Sequence, residues 1–192
     1  LDLKEFLSLY TKQHSQILAL QKDLSGSFKN IHLTGIQASS LALLLAELNL
    51  NTKYNILYVA DNEEEASYLY NDVYSLLEEN SVFYFPSSYK KSIKYLKVDT
   101  ANEILKTQVL NSFFNQKNQI IITYPEALLE KVVDKESLEE QTLQLNVGEE
   151  LSLNTLKEKL LSFSFQRVDF VYEPGQFSIR GSIVDVFSYT SE

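Results

Sequence analysis

The sequence predicts an α/β protein: a parallel sheet with helices on both faces, followed by a small α+β part carrying an antiparallel hairpin. Three observations carry this expectation. NILYVA at 55–60 is a continuous apolar run, the pattern of a strand covered on both faces. Strand and helix patterns alternate about four times before residue 133. After that the rhythm changes, and Pro174-Gly175 separates two segments of alternating apolar residues.

Taken in order, residues 3–21 set Leu3, Phe6, Leu7, Tyr10, Ile17 and Leu18 near helical spacing, which predicts one or two opening helices. KNIHLTG predicts a short strand running into a turn at Gly35. Ser39–Leu50, apolar nearly all round, predicts a buried helix. Beyond NILYVA, Asp61 and Asn62 are cap candidates, and Glu63, Glu64 and Glu65 favour the positive end of a helix reaching about Glu78. SVFYFPS predicts a third strand stopped by Pro86, with a lysine-rich connector after it. Residues 100–115 are helical, and NQIIITYPEALLEKVV predicts a fourth strand and a short helix with Pro125 in its first turn.

LQLNVGEE then predicts a strand and a turn. Ser152 or Asn154 can cap the helix LNTLKEKLLSF, which sets Leu153, Leu156 and Leu160 on one side. RVDFVYEPGQFSIRGSIVDVF predicts a hairpin turning at Pro174-Gly175, where a type II turn needs φ > 0 at the glycine. Val168, Phe170 and Tyr172 alternate with polar residues. In the return strand the apolar set moves from Phe177 and Ile179 to Val184 and Val186, which predicts a bulge near Gly181. A boundary is expected at about residues 131–138, giving domains 1–132 and 133–192.

Composition narrows the function classes. The chain has 192 residues and 44% hydrophobic content, enough for a real core. With 17 basic and 26 acidic residues the formal charge is -9, which disfavours a general binder of phosphate backbones. There is no cysteine, so disulfides and thiolate metal sites are excluded, in keeping with a cytoplasmic protein. His14 and His32 are too far apart in sequence to predict a metal cluster, and no metal is expected. No apolar run is long enough to predict a membrane span. No methionine occurs, and the chain stops just after a strong strand pattern, so a piece of something longer is expected, truncated within its second domain.

HLTGIQASS, followed by LALLLAEL, has the rhythm of a phosphate-binding loop. An active loop, G-x-x-x-x-G-K-[ST], needs its lysine for the terminal phosphates and its hydroxyl for magnesium. Aligning Gly35 with the first glycine puts Leu41 at the lysine. The shorter T-G-S-G-K-T form puts Gln37, Ala38 and Ser39 at G-K-T. Under both alignments the lysine is missing. Thr34, Gly35, Gln37, Ala38 and Ser39 are therefore expected to be a degenerate or structural turn. Weak anion binding at the helix N-terminus between Gly35 and Ser40 is left open. Asp61 with Glu63–Glu65, and Glu139-Glu140, are expected to be capping or solvated groups. Lys90, Lys91, Lys94 and Lys97 could touch nucleic acid or form a solvated linker. Arg167 and Arg180, with Glu173 at the turn, form a plausible protein-docking face, because guanidinium groups grip carboxylates in bidentate fashion. Surface pairing with Asp169, Asp185 or Glu173 is an equally good reading.

The hairpin resembles R-V-D-x-V-x-E-x-G-x-F-x-x-R-G-G-I-I-D-I-F of the bacterial transcription-repair coupling factor family (Mfd), with a related form in UvrB. VFYFPSSY and ITYPEALLEKV resemble the same N-terminal module, and FPSSYKKSIKY resembles a Bacteroidetes-type version. The resemblance covers most of the chain, and its hairpin is the specific part. It implies a degenerate helicase-like (P-loop/RecA-like) domain similar to UvrB domain 1a, and a second domain that binds UvrA through the surface UvrB uses. It further implies a non-catalytic adaptor that recruits UvrA to lesions at stalled RNA polymerase, with no cofactor and no ATP hydrolysis in this fragment. The full-length protein would be an ATP-dependent DNA translocase, reaching RNA polymerase and DNA only through the rest of its chain. Arg167 and Arg180 fall on arginines of the UvrA-binding face, and the expected face also takes in Phe177, Ser178 and Glu173. Ser178 stands where UvrB has another arginine, and Ser182 replaces a usual glycine, tolerable only if φ > 0 is not needed there. Binding competitive with UvrB and a monomeric fragment are expected. The alternative is a UvrB-like ATPase or helicase domain with an unorthodox nucleotide site.

Overall fold

A computed structural model describes residues 5–7, 9–10, 14–26, 30–37, 39–77, 81–88, 100–115, 118–140 and 142–189. Residues 5–7 and 9–10 are helical, and after them come α1 (Ser15–Leu24), α2 (Ser40–Asn51), α3 (Glu63–Tyr74), α4 (Thr100–Asn115), α5 (Pro125–Leu128), α6 (Lys135–Glu140) and α7 (Leu153–Ser162). Its strands are β1 (Ile56–Val59), β2 (Val82–Tyr84), β3 (Ile120–Thr123), β4 (Gln166–Arg167), β5 (Gln176–Arg180) and β6 (Ile183–Phe187). The chain forms two compact units, one of Leu1–Ser87 with Gln108–Leu129 and one of Ser88–Thr107 with Glu130–Glu192.

The first unit holds a parallel sheet in the order β1-β3-β2, with Ile56 and Val82 both registered on Ile120. β3 is buried along its whole length, as an apolar central strand should be. Ala42 and Leu45 of α2, Ala66 and Val73 of α3, and Val109 of α4 complete the core around Ile120, Ile121 and Ile122. Each isoleucine so buried stabilises the fold by roughly 1.5–3 kcal/mol relative to exposure. Asn62 caps α3 by accepting the Glu65 N–H at 3.0 Å, with Glu63, Glu64 and Glu65 in the first turn. Pro125 opens α5, and the buried Tyr124 before it accepts the Ser87 N–H through its hydroxyl at 2.9 Å.

Two expectations fail here. The strand predicted at KNIHLTG is not formed: described residues 30–37 carry no strand, and Ile31, Leu33 and Ile36 stay exposed. The alternation of that segment gains nothing without a neighbour to pair with. The sheet therefore has three strands, and β1 lies at its edge with only one face covered. Ile56 and Tyr58 meet the core, while Leu57 and Val59 remain exposed.

The second unit packs α7 against a mixed sheet in the order β4-β5-β6. Its buried centre is Leu156, Leu160 and Phe177, with Leu143, Phe165, Ile179 and Val184 packed around them. Ser152 occupies the α7 cap position, and Leu153 turns out to solvent. LQLNVGEE forms its turn, with Glu149 N–H donating to the Asn146 carbonyl at 3.2 Å, but no strand. α6 was not foreseen; Asp134 caps it by accepting the Ser137 N–H at 2.8 Å, which holds the carboxyl below its usual range. The same unit holds a buried polar tie: Lys106 Nζ donates to Glu130 Oε2 and to Ser88 Oγ, each at 2.6 Å. Both Glu130 oxygens also accept the Ser88 N–H at 3.0 Å.

Candidate protein-docking site

At the loop, Gly35 has φ +78, the left-handed conformation that suits glycine, and nothing crowds it. The turn into the following helix is tied locally. Ser40 Oγ accepts the Gln37 N–H at 3.0 Å and donates to the Gln37 carbonyl, while the Leu43 N–H reaches the Ser39 carbonyl at 3.1 Å. Leu41, which takes the lysine position in one alignment, packs against the hydrophobic core. Thr34, Gly35, Gln37 and Ser39 are exposed, and Ala38 lies outside the described residues. The lysine connector at 89–99 lies outside them as well.

In the second unit the strands turn differently from the expectation. β4 runs parallel to β5, with Gln166 on Gln176 and Arg167 on Phe177. The antiparallel hairpin is β5–β6, and its two-residue turn is Gly181-Ser182 between the paired Arg180 and Ile183. Gly181 has φ +64 at the first central position, as a II′-type hairpin turn demands, and Ser182 needs no positive φ. The shift of the apolar set needs no bulge. Odd-numbered Phe177 and Ile179 pair with even-numbered Val186 and Val184, so cross-strand partners share a face.

Pro174-Gly175 forms a β-turn within the chain that links β4 to β5. The Gln176 N–H donates to the Glu173 carbonyl at 3.2 Å, and Gly175 has φ +80. A side chain at Gly175 would also collide with the hydroxyl of Tyr189, whose ring packs edge-on against Phe165 at 5.6 Å.

The expected docking residues separate. Arg180 is exposed and pairs with Asp185 across the hairpin. Its guanidinium also lies 5.8 Å from the centre of the Phe170 ring. Arg167 is exposed and makes no ion pair among the described residues, but its register beside Phe177 puts it on the opposite face of the sheet from Arg180. Glu173 is exposed at the turn. Phe177 and Ser178, by contrast, offer no side-chain surface. Phe177 is 0% exposed in the unit's core, and the buried Ser178 Oγ donates to the Asp169 carbonyl at 2.9 Å.

Phe170 and Tyr172 are the exposed residues that sequence reasoning misplaced. Their alternation with polar residues signals a strand with one apolar face, yet 168–172 lies outside any strand and both rings are in solvent.

The UvrB interaction domain family matches residues 143–192, which span α7, β4, β5 and β6. Across 97% of its length the chain is 24% identical to the transcription-repair-coupling factor of Bacillus subtilis (strain 168), of which it covers 16%. It is 27% identical to UvrABC system protein B of Francisella tularensis subsp. tularensis over 94% of the chain and 29% of that protein. Over 71% of the chain it is 32% identical to the transcription-repair-coupling factor of Rickettsia bellii (strain RML369-C), of which it covers 12%. The chain thus spans less than a third of each of these relatives. A parallel α/β unit, a hairpin within the residues matched to the UvrB interaction domain and relatives of both names along the chain together identify a UvrB-like module, similar to part of transcription-repair-coupling factors and of UvrABC system B proteins.

Proposed function

We propose that this module is a non-catalytic adaptor that binds UvrA through its second unit, in competition with UvrB, and brings it to lesions where RNA polymerase has stalled. The observation that carries this reading is the exposed Arg180, on the β5–β6 hairpin inside the residues matched to the UvrB interaction domain. Arg167 supplies a second guanidinium at the neighbouring edge strand. The motor activity, and the contacts with RNA polymerase and DNA, belong to other parts of the full-length protein. In this reading no cofactor acts in the module, which the packing of Leu41 against the core and the lack of a lysine between Gly35 and Leu41 support.

The test is the affinity of the chain for UvrA, with and without Arg167→Ala and Arg180→Ala, beside a titration with labelled ATP. Loss of the charge-assisted contacts is expected to cost on the order of 1.5–3 kcal/mol for each arginine. Unchanged affinity in the double variant would remove the site assignment. Saturable micromolar ATP binding would restore the nucleotide-site alternative.

A further inference from the structure

The strand register sorts the β5–β6 hairpin into two faces. Phe177, Ile179 and Val184 turn inward, and Gln176, Ser178, Arg180, Ile183 and Asp185 belong to the outer face. Ser178 is buried on that outer side because the chain at Asp169 folds over it. The fold-over sets Phe170 against Arg180. Its other end is fixed by Gln176, whose Oε1 accepts the N–H groups of Tyr172 and Glu173 at 2.9 and 3.1 Å. The segment is therefore pinned at both ends, yet Phe170 is 60% exposed, Tyr172 77% and Ile183 60%. An aromatic ring held in water beside a guanidinium is the composition of an interface hot spot.

We propose that Phe170, presented beside Arg180, is the apolar anchor of the docking face, with Tyr172 and Ile183 at its rim. This rests on the docking function proposed above. The occupant is a protein surface with an apolar socket flanked by a carboxylate. The ring fills the socket, and the guanidinium donors that Asp185 leaves over take the carboxylate. A nucleic acid does not fit, since Asp185 offsets Arg180 locally and the whole chain carries a formal charge of -9.

The test titrates UvrA against the chain and its Phe170→Ser variant at about 0.1 and 0.5 M salt, with sedimentation of the chain alone alongside. Phe170→Ser is expected to weaken binding at least about ten-fold at both salts, because an apolar anchor is not screened, and to leave the melting temperature unchanged. If its melting temperature falls, Ile183→Ser, also on the exposed face, replaces it, with an expected loss of about three-fold. Unchanged affinity in these variants, while Arg167→Ala with Arg180→Ala weakens binding, overturns the anchor and keeps the docking function. No binding by the unaltered chain removes the docking function and the anchor with it. A self-associated chain that Phe170→Ser makes monomeric, with UvrA affinity intact, assigns the patch to a second copy and overturns the proposal.

Discussion

The first unit surrounds Ile120, Ile121 and Ile122 with apolar residues from four helices, whereas the buried centre of the second is Leu156, Leu160 and Phe177. A core that small leaves a unit marginal, so polar ties and backbone geometry carry more of its stability. The second unit shows both, in the Lys106–Glu130–Ser88 cluster and in Gly175 beneath Tyr189. Their surfaces differ in the same sense. At the loop of the first unit, the candidate lysine position turns Leu41 inward, while the second unit holds Phe170 outward on a pinned segment beside Arg180. Packing dominates one region and presentation the other.

This contrast can be broken at several points. The largest effect is expected from Phe177→Ala, at about 3–5 kcal/mol, because the lost ring is a main part of the second core. Chemical denaturation should show this loss, and UvrA binding should fall with the folded fraction. A variant that stays fully folded but no longer binds would return Phe177 to the docking face. Lys106→Ala comes next, or equal: it takes the ammonium out of the buried pair with Glu130 and should cost up to about 3–5 kcal/mol. A melting temperature within a degree of the parent would show the tie to be dispensable.

The glycines give a paired comparison. Gly175→Ala meets both left-handed strain and the Tyr189 hydroxyl, about 1–2 kcal/mol for the first and 1–3 kcal/mol for overpacking. Gly35→Ala meets only the strain, about 1–2 kcal/mol, with open space around it. Equal losses in urea melts would mean that the Tyr189 packing contributes nothing.

The smallest effect concerns pH. Tyr84 is pushed well up by burial, then by Tyr124 and Glu63, and Tyr58 is raised by burial and by Asp61 and Glu65. Both folded-state values exceed the unfolded one of about 10, so their stabilisation is complete below pH 10 and is lost as pH rises above it. Tyr84→Phe should flatten the fall in urea midpoint between about pH 9 and pH 11. An unchanged slope would place the cause elsewhere.

Much of the fold was legible because its signals are local. The apolar run before Thr123, the Asn62 cap with its three glutamates and the Pro125 start all act within a few residues of themselves. What failed depended on partners far along the chain. Ile31 and Leu33 have strand-like spacing, but spacing does not supply a neighbouring strand. Pro174-Gly175 did form its turn, yet whether a turn closes a hairpin depends on which segments pair across it. Here the two-residue Gly181-Ser182 turn closed one instead. At the site, Arg180 could be picked out by its residue type. Phe170 could not, because alternation marks an apolar face without saying whether anything covers it.

The central claim is that function resides in the second unit and not in the loop at Gly35. It is tested most directly by titrating the chain into preformed UvrA–UvrB complex. The account predicts that the chain displaces UvrB in a saturable manner, that Phe170→Ser or Arg180→Ala shifts the displacement curve about ten-fold or more, and that Gly35→Ala leaves it in place. Displacement that fails altogether, or that follows the loop variant while ignoring the hairpin variants, would contradict it.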